Sequence, residues 1–428
     1  MGETLTRRAA AGRDAGTAAT GWSEVLSRPV RLALPRAGLR AGLGLAALCG
    51  ALGALALIDL MAGGLLAHRG WFAILYLVSA AGFGLLATAA TSLPLRVTLV
   101  AAVAVRLAFL PVTPSLSTDV YRYLWDGRVQ LAGLNPYRYV PRDHHLDAVG
   151  YADRARVNHP GLRTVYPPLA EIGFAALAAL HGGVLALKLV VGVADLLAAW
   201  AVWWLADTRR RRTAVTLYLL CPAIVLQTWE AGHLEIVAVL FIVVAAGLIR
   251  RGRDPWAGLA LGAAAAIKIT PAALLVPALV GGRARPARLL AGFLPALLLP
   301  YLPYLLSGAA SGSLTESGTR WLGGSFAFAA VRVVLPAQAA RLACAAVFLI
   351  GAVWLSSRWR GRSQTGRAFA WTAALLVVCL PVVHAWYWLA PLVLGLAAGE
   401  ALPVLVGLLA PLPEALAPAL PSTLPPWR

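Results

Sequence analysis

The chain has 428 residues, 60% of them hydrophobic and 13% charged, with a formal net charge of +19. Apolar runs of roughly 20 residues, the length a bilayer-crossing helix needs, recur along it and exclude an ordinary soluble fold. The positive charge sits in arginine clusters that bracket those runs, which marks cytoplasmic loops and excludes nucleic acid as a partner.

Residues 1–41 carry seven arginines with Glu3, Asp14 and Glu24. No short apolar core leads to a small-residue cleavage site, so they read as a cytoplasmic basic tail without a removable signal. Apolar spans follow at 42–67, 71–91 and 97–112, and three crossings from a cytoplasmic tail put the polar stretch 113–163 outside. Cys49, Cys221, Cys344 and Cys379 lie inside apolar runs, at no disulfide or zinc spacing.

The stretch 113–163 holds five aspartates and seven arginines, and its segment 117–141 reads STDVYRYLWDGRVQLAGLNPYRYVP. A solvated surface loop has such charges. It does not need Tyr121, Tyr123, Trp125, Tyr137 and Tyr139, amphipathic side chains suited to a headgroup layer or to a sugar ring. Asp119 precedes a helix that brings Tyr123, Asp126 and Gln130 near one face, and Gly133, Asn135 and Pro136 then turn the chain. Asp126 pairs with Arg122, four residues earlier, and Asp119 is fixed at the mouth of a cavity. Asp143, His144, His145 and Asp147 are read as solvated loop residues, and no metal ligand is assigned.

Were both halves of 165–206 to cross, Arg209–Arg212 would emerge outside. Residues 164–181 therefore read as an outer-surface helix and only 184–206 as a crossing. Lys188 and Asp195, two helical turns apart, form an expected ion pair. Crossings at 213–228 and 234–249 flank WEAGHLE, whose Glu230, His233 and Glu235 are either ordinary loop charges or ligands of sugar hydroxyls or phosphate. The run 256–280 lies between two basic clusters and contains Pro271, which predicts a helical hairpin with Lys268 at its tip. Lys268 has no acidic neighbour along its own helix, so it either snorkels or meets an anionic headgroup. Crossings at 290–306, 339–355, 368–384 and 388–409 complete an all-α integral membrane fold of about ten transmembrane helices plus the hairpin, with both ends cytoplasmic. Residues 42–410 form this domain and 411–428 a Pro-rich tail. Glu316, Arg320, Trp321 and HAWYW, starting at His384, join the outer face.

There is no P-loop and no dinucleotide fingerprint, which argues against a nucleotide-sugar or ATP-driven reaction. The ordered set TDVYRYLWDG, GLNPYRYVP, TVYPPLAEIGF, WEAGHLE, GLALGAAAAIKITP and HAWYWLAPL resembles bacterial GT-C membrane glycosyltransferases that use polyprenyl-phosphate sugars. It is most similar to the actinobacterial polyprenyl-phosphate-mannose-dependent alpha-mannosyltransferases, over about 106–391. The resemblance implies that Asp119 is the catalytic base, by its spacing to the Asn-Pro-Tyr turn. It implies substrate-binding roles for Arg122, Tyr123, Asp126, Asn135, Tyr137, Tyr166, Glu230, His233, Glu235, Lys268, Arg320, His384 and Trp386. Where the related GPI enzymes have Asp-x-Asp this chain has Ser117-Thr118-Asp119, so no divalent metal or other cofactor is expected beyond the polyprenyl-phosphate sugar donor.

The expected activity is inverting transfer of a hexose, mannose by the resemblance, to a cell-envelope glycan or glycolipid outside the cytoplasmic membrane. Arg122, Lys268, Arg320 and His384 are the expected stabilisers of the phosphate leaving group. The alternatives are a flippase or transporter of lipid-linked sugar, for which a second, matching helix break is missing, and a scaffold, which leaves the Asp119 cluster without a task.

Overall fold

The computed structural model describes residues 36–313 and 323–416. In chain order its principal helices are α1 (Ala37–Ala62), α2 (Arg69–Ala87), α3 (Leu95–Phe109), α4 (Asp119–Leu131), α5 (Pro168–Ala179), α6 (Val184–Leu205), α7 (Arg211–Leu219), α8 (Glu235–Arg250), α9 (Asp254–Ile267), α10 (Pro286–Leu298), α11 (Phe326–Val334), α12 (Ala337–Arg358), α13 (Thr365–Cys379), α14 (Leu389–Ala398) and α15 (Ala401–Leu409). Among the described residues five helical stretches are long and apolar enough to cross a bilayer: α1, Leu65–Ala87, α6, Pro286–Leu306 and α12. At 1.5 Å per residue α1 is about 39 Å long, more than a hydrocarbon core of about 30 Å requires. The chain is a helical membrane protein.

Hydrogen bonds define two ends of the bundle. At the basic end Arg250 pairs with Asp207 at 2.7 Å, Arg251 donates to Trp204 O, Arg362 pairs with Asp254 at 2.6 Å and Arg367 with Glu400. At the other end the α1–α2 turn, residues 115–122, residues 158–167, the start of α8, the residues after α9 and residues 380–387 surround one cavity. The hairpin turns where the sequence places it. Asp254 accepts the Arg285 N–H at 3.0 Å, so α9 starts and α10 starts at the basic end, while Lys268 lines the cavity. Between them Thr270–Leu274 and Leu275–Leu279 return the chain, with Pro271 near the start of that return.

Three expectations fail for local reasons. The crossing at 213–228 is broken: α7 stops at Leu219 and the chain restarts as Pro222–Val225 and a wide π turn, Leu226–Glu230. Pro222 has no N–H and its ring excludes the carbonyl four residues back. The run 388–409 is two helices, because Gly399 takes φ 76°, a left-handed conformation that glycine reaches without steric cost. Glu400, held by Arg367 and by Trp371 Nε1 at 2.9 Å, completes the reversal. The chain then climbs back: Tyr76 donates to Leu408 O at 2.5 Å, Arg69 donates to Glu414 O, and Glu414 lines the cavity. Residues 412–416 are thus a packed helical turn at the cavity end, where an even crossing count puts them with the arginines. Residues 1–35 and 417–428 of the expected tails, and Glu316, Arg320 and Trp321, lie outside the described residues.

The third correction concerns Lys188. Its Nζ donates to Phe109 O and Val112 O, both at 2.7 Å. Asp195 belongs instead to Arg106 at 2.7 Å, Tyr218 Oη at 2.8 Å and Trp229 Nε1 at 2.9 Å. Sequence spacing sees only partners on one helix. In a bundle, a buried ion takes whatever donors neighbouring helices offer, because leaving it unpaired costs several kcal/mol.

Candidate active site

The cavity at this end has a volume of about 830 Å³. Its first wall is the approach to α4. Asp119 is the first residue of that helix, where a carboxylate faces unsatisfied N–H groups and the positive end of the helix dipole. Its N–H donates to Ser117 Oγ at 3.2 Å and its Oδ1 accepts from Asn158 Nδ2 at 2.6 Å. Ser117 therefore shapes the turn into the helix. His159 follows Asn158 with φ 46°, a conformation sparsely populated outside glycine, and lines the cavity beside Asp119.

Arg122, one turn further along α4, gives its Nε to both Asp126 oxygens, at 2.9 and 2.8 Å, and its Nη2 has no partner among the described residues. The expected Arg122–Asp126 pair is present. Asp126 is buried behind the cavity wall with Glu171, which accepts from Thr164 Oγ1 at 2.5 Å and Gln130 Nε2 at 2.9 Å. α5 reaches this close because α4 carries Gly127 where a side chain would collide with Phe174 O. α5 therefore packs into the wall through Glu171 and Phe174, and only its other face is exposed.

The second wall joins α8 to the hairpin. Glu235, the first residue of α8, pairs with Lys268, and the Lys268 ammonium lies 4.0 Å from the Tyr387 ring centroid. The neighbour that Lys268 lacks along its own helix comes from another. His384 and Trp386 stack at 4.4 Å with an interplanar angle of 2°, and His233 stacks beneath Trp386 at 3.9 Å. Burial lowers the pKa of His384 to about 4 and also depresses that of His159. His384 is thus neutral at pH 7, a hydrogen-bonding group rather than a standing cation.

Of the residues singled out from sequence, Asp119, Arg122, Tyr166, Glu235, Lys268, His384 and Trp386 line this cavity. The others have different work. Tyr123 is buried, stacked on Phe174 at 4.8 Å with Tyr166 at its edge. Asn135 donates to Ser307 Oγ at 2.7 Å and Ala309 O at 2.8 Å and accepts the Tyr137 N–H, while Tyr137 Oη donates to Tyr166 O at 2.7 Å. These residues fix the loop behind Tyr166. Glu230 and His233 are fully buried outside the lining. The structure adds Asn158, His159, Arg163, Tyr387, Arg69 and Glu414 to the walls. A signal for Arg69 stands in the sequence: it follows the first span, at the end where the positive-inside bias expects few arginines. Among the described residues no three His, Cys, Asp or Glu side chains are grouped as metal ligands.

The cavity thus gathers Asp119, Glu235 and Glu414 with Arg69, Arg122, Arg163 and Lys268 among apolar and aromatic side chains, at one end of an apolar helical bundle. Residues 25–285 match the MptA_B family, described as alpha-(1->6)-mannopyranosyltransferase, N-terminal domain, and residues 164–410 match glycosyltransferase family 87. Each match covers more than half of the chain, and the chain belongs to these families of membrane glycosyltransferases. Comparison with curated proteins and with solved structures returns no match.

Proposed function

We propose that this glycosyltransferase moves one mannosyl group from a polyprenyl phosphate to a hydroxyl of a cell-envelope glycan or glycolipid, at the extracytoplasmic face of the cytoplasmic membrane. One observation carries the reading. Asp119, oriented by Asn158, shares the cavity with Lys268, His384 and His159, and lies near enough to act on all three electrostatically. Asp119 takes the proton from the acceptor hydroxyl, whose oxygen attacks the anomeric carbon in line. The bond to the phosphate oxygen breaks, polyprenyl phosphate keeps the electron pair, and a beta-linked donor gives an alpha-linked product.

The leaving group is a phosphate monoester with about 1.5 to 2 negative charges, so the site needs positive charge already in place. The cavity lining offers the candidates. Arg122 is half spent on Asp126 and keeps Nη2 for the phosphate, Lys268 must exchange Glu235 for it, and Arg163 and Arg69 stand on the same walls. The arginine clusters at the opposite end support the orientation under the positive-inside rule. The test uses purified protein in liposomes with polyprenyl-phosphate-mannose and a glycolipid acceptor. A new alpha-mannosidic linkage is expected. Movement of donor across the bilayer without a new linkage identifies a flippase instead, and transfer only from a nucleotide sugar refutes the donor assignment.

A further inference from the structure

We propose that Glu230 and Lys188, with Asp59 behind them, are positioning residues that set where Asp119 stands. The inference rests on the reading of Asp119 as the base. Between α3 and α4 the chain runs without regular helix, and its last residues, Ser115 to Thr118, line the cavity. Such a segment leaves N–H and C=O groups that must find partners. Lys188 takes the carbonyls of Phe109 and Val112, both at 2.7 Å. Glu230 Oε1 accepts the N–H groups of Ser115 at 2.5 Å and Leu116 at 3.1 Å. Leu65 N–H donates to Ser115 Oγ at 3.0 Å, and Gly64, at φ 111°, has no side chain where Ser115 Cβ presses against it. Both ends of the segment are gripped, and the chain is left with one fixed approach to Asp119.

Behind the grip stands Asp59 of α1, 6% exposed, with no well-aligned hydrogen-bond donor on either oxygen among the described residues. The groups facing it are Ser115, Glu230, the Leu65 backbone and Lys188. Glu230 is fully buried and its Oε2 also lacks a well-aligned donor among the described residues. Two buried carboxylates in contact do not both ionise, and Lys188 is turned to its carbonyls. One proton shared by Asp59 and Glu230 satisfies the pair and leaves Glu230 Oε1 to accept both N–H groups.

The test combines hydrogen exchange of residues 113–119 with steady-state kinetics. Glu230→Ala should speed exchange of the Ser115 and Leu116 amides and lower kcat on the order of 100-fold, as a misplaced base does, with donor KM within about threefold. Glu230→Gln keeps an acceptor oxygen and needs no shared proton, so it should recover most of that loss. Asp59→Asn supplies a permanent N–H in place of the proton and should move the alkaline limb of kcat to higher pH. Wild-type exchange and kcat in Glu230→Ala, or a glutamine variant as poor as alanine, overturn the clamp. Donor affinity falling in step with kcat makes Glu230 a substrate contact or the variant misfolded, and an unmoved alkaline limb overturns the shared proton. Faster exchange in Glu230→Ala of a protein without transferase activity leaves the clamp standing and refutes the proposed function.

Discussion

Lys268→Met removes the ammonium and keeps much of the apolar stem. In the folded protein the Lys268 side chain is 22% exposed and that of Glu235 is 10%, and a cleft running inward from the pair is lined by Ala238, Val239, Leu376 and Ala390. The substitution strands the Glu235 carboxylate against those apolar groups. Breaking a fully buried pair costs roughly 3–5 kcal/mol, and the partial exposure of this one reduces the expected loss to about 2 kcal/mol. Glu235→Gln in the same chain removes the stranded charge and should restore stability to within about 1 kcal/mol. Turnover should behave differently. A charged hydrogen bond from Lys268 to the leaving phosphate contributes about 1.5–3 kcal/mol, so kcat should fall by roughly 10- to 100-fold in the single and the double variant alike. Reversible unfolding in detergent reads the first quantity, and single-turnover transfer from polyprenyl-phosphate-mannose the second. Wild-type turnover in the double variant would mean that Lys268 serves only Glu235, and the phosphate contact would be refuted.

Other expectations follow from the same geometry. Asn158→Ala should lower kcat about tenfold with little loss of fold, since it removes the side-chain donor that Asn158 gives Asp119 Oδ1; unchanged kcat removes Asn158 from the site. Asp126→Asn should act mainly on stability, by about 3 kcal/mol, because it leaves the buried Arg122 guanidinium without its carboxylate; normal unfolding with lost turnover would instead make Asp126 a reacting group. His384 has a folded pKa of about 4 against about 6.5 unfolded, so below pH 6.5 the unfolded chain binds the extra proton and stability falls until about pH 4. His384→Gln should flatten that decline, and an unchanged slope shows that other groups cause it. Cysteines at Ala148 and Leu416 in an otherwise cysteine-free chain should react with a membrane-impermeant reagent on intact cells, and one at Thr208 only after permeabilisation; the reverse pattern inverts the topology. Transfer should survive a chelator, with the arginine and lysine side chains meeting the phosphate charge, and loss of activity restored by a divalent cation contradicts that.

Much of the fold is written in apolar run length and arginine placement. Both are one-dimensional signals that a bilayer enforces, and the hairpin at Lys268 follows from them. What they miss is set by single residues. Pro222 breaks a helix inside an apolar run, and Gly399 reverses the chain within what hydropathy reads as one crossing. Asp119 is legible because its helix start, its aromatics and its turn are contiguous. The pairing of Lys268 with Glu235, of Asp195 with Arg106 and of Asp119 with Asn158 is not legible, because each joins segments 33 or more residues apart. Buried polar residues such as Glu230 and Asn135 look like ligands in a sequence, whereas in the bundle they hold the backbone that carries the site.

As the proposed base of a glycosyl transfer, Asp119 should matter in the chemical step itself. The most direct measurement is single-turnover formation of the alpha-mannosyl product by wild type and Asp119→Asn at saturating polyprenyl-phosphate-mannose, with donor binding measured on the same samples. Asp119→Asn should lose roughly 100-fold or more in the chemical step, the usual contribution of a general base, with donor affinity retained. Near-normal product formation by Asp119→Asn would mean that another group takes the acceptor proton.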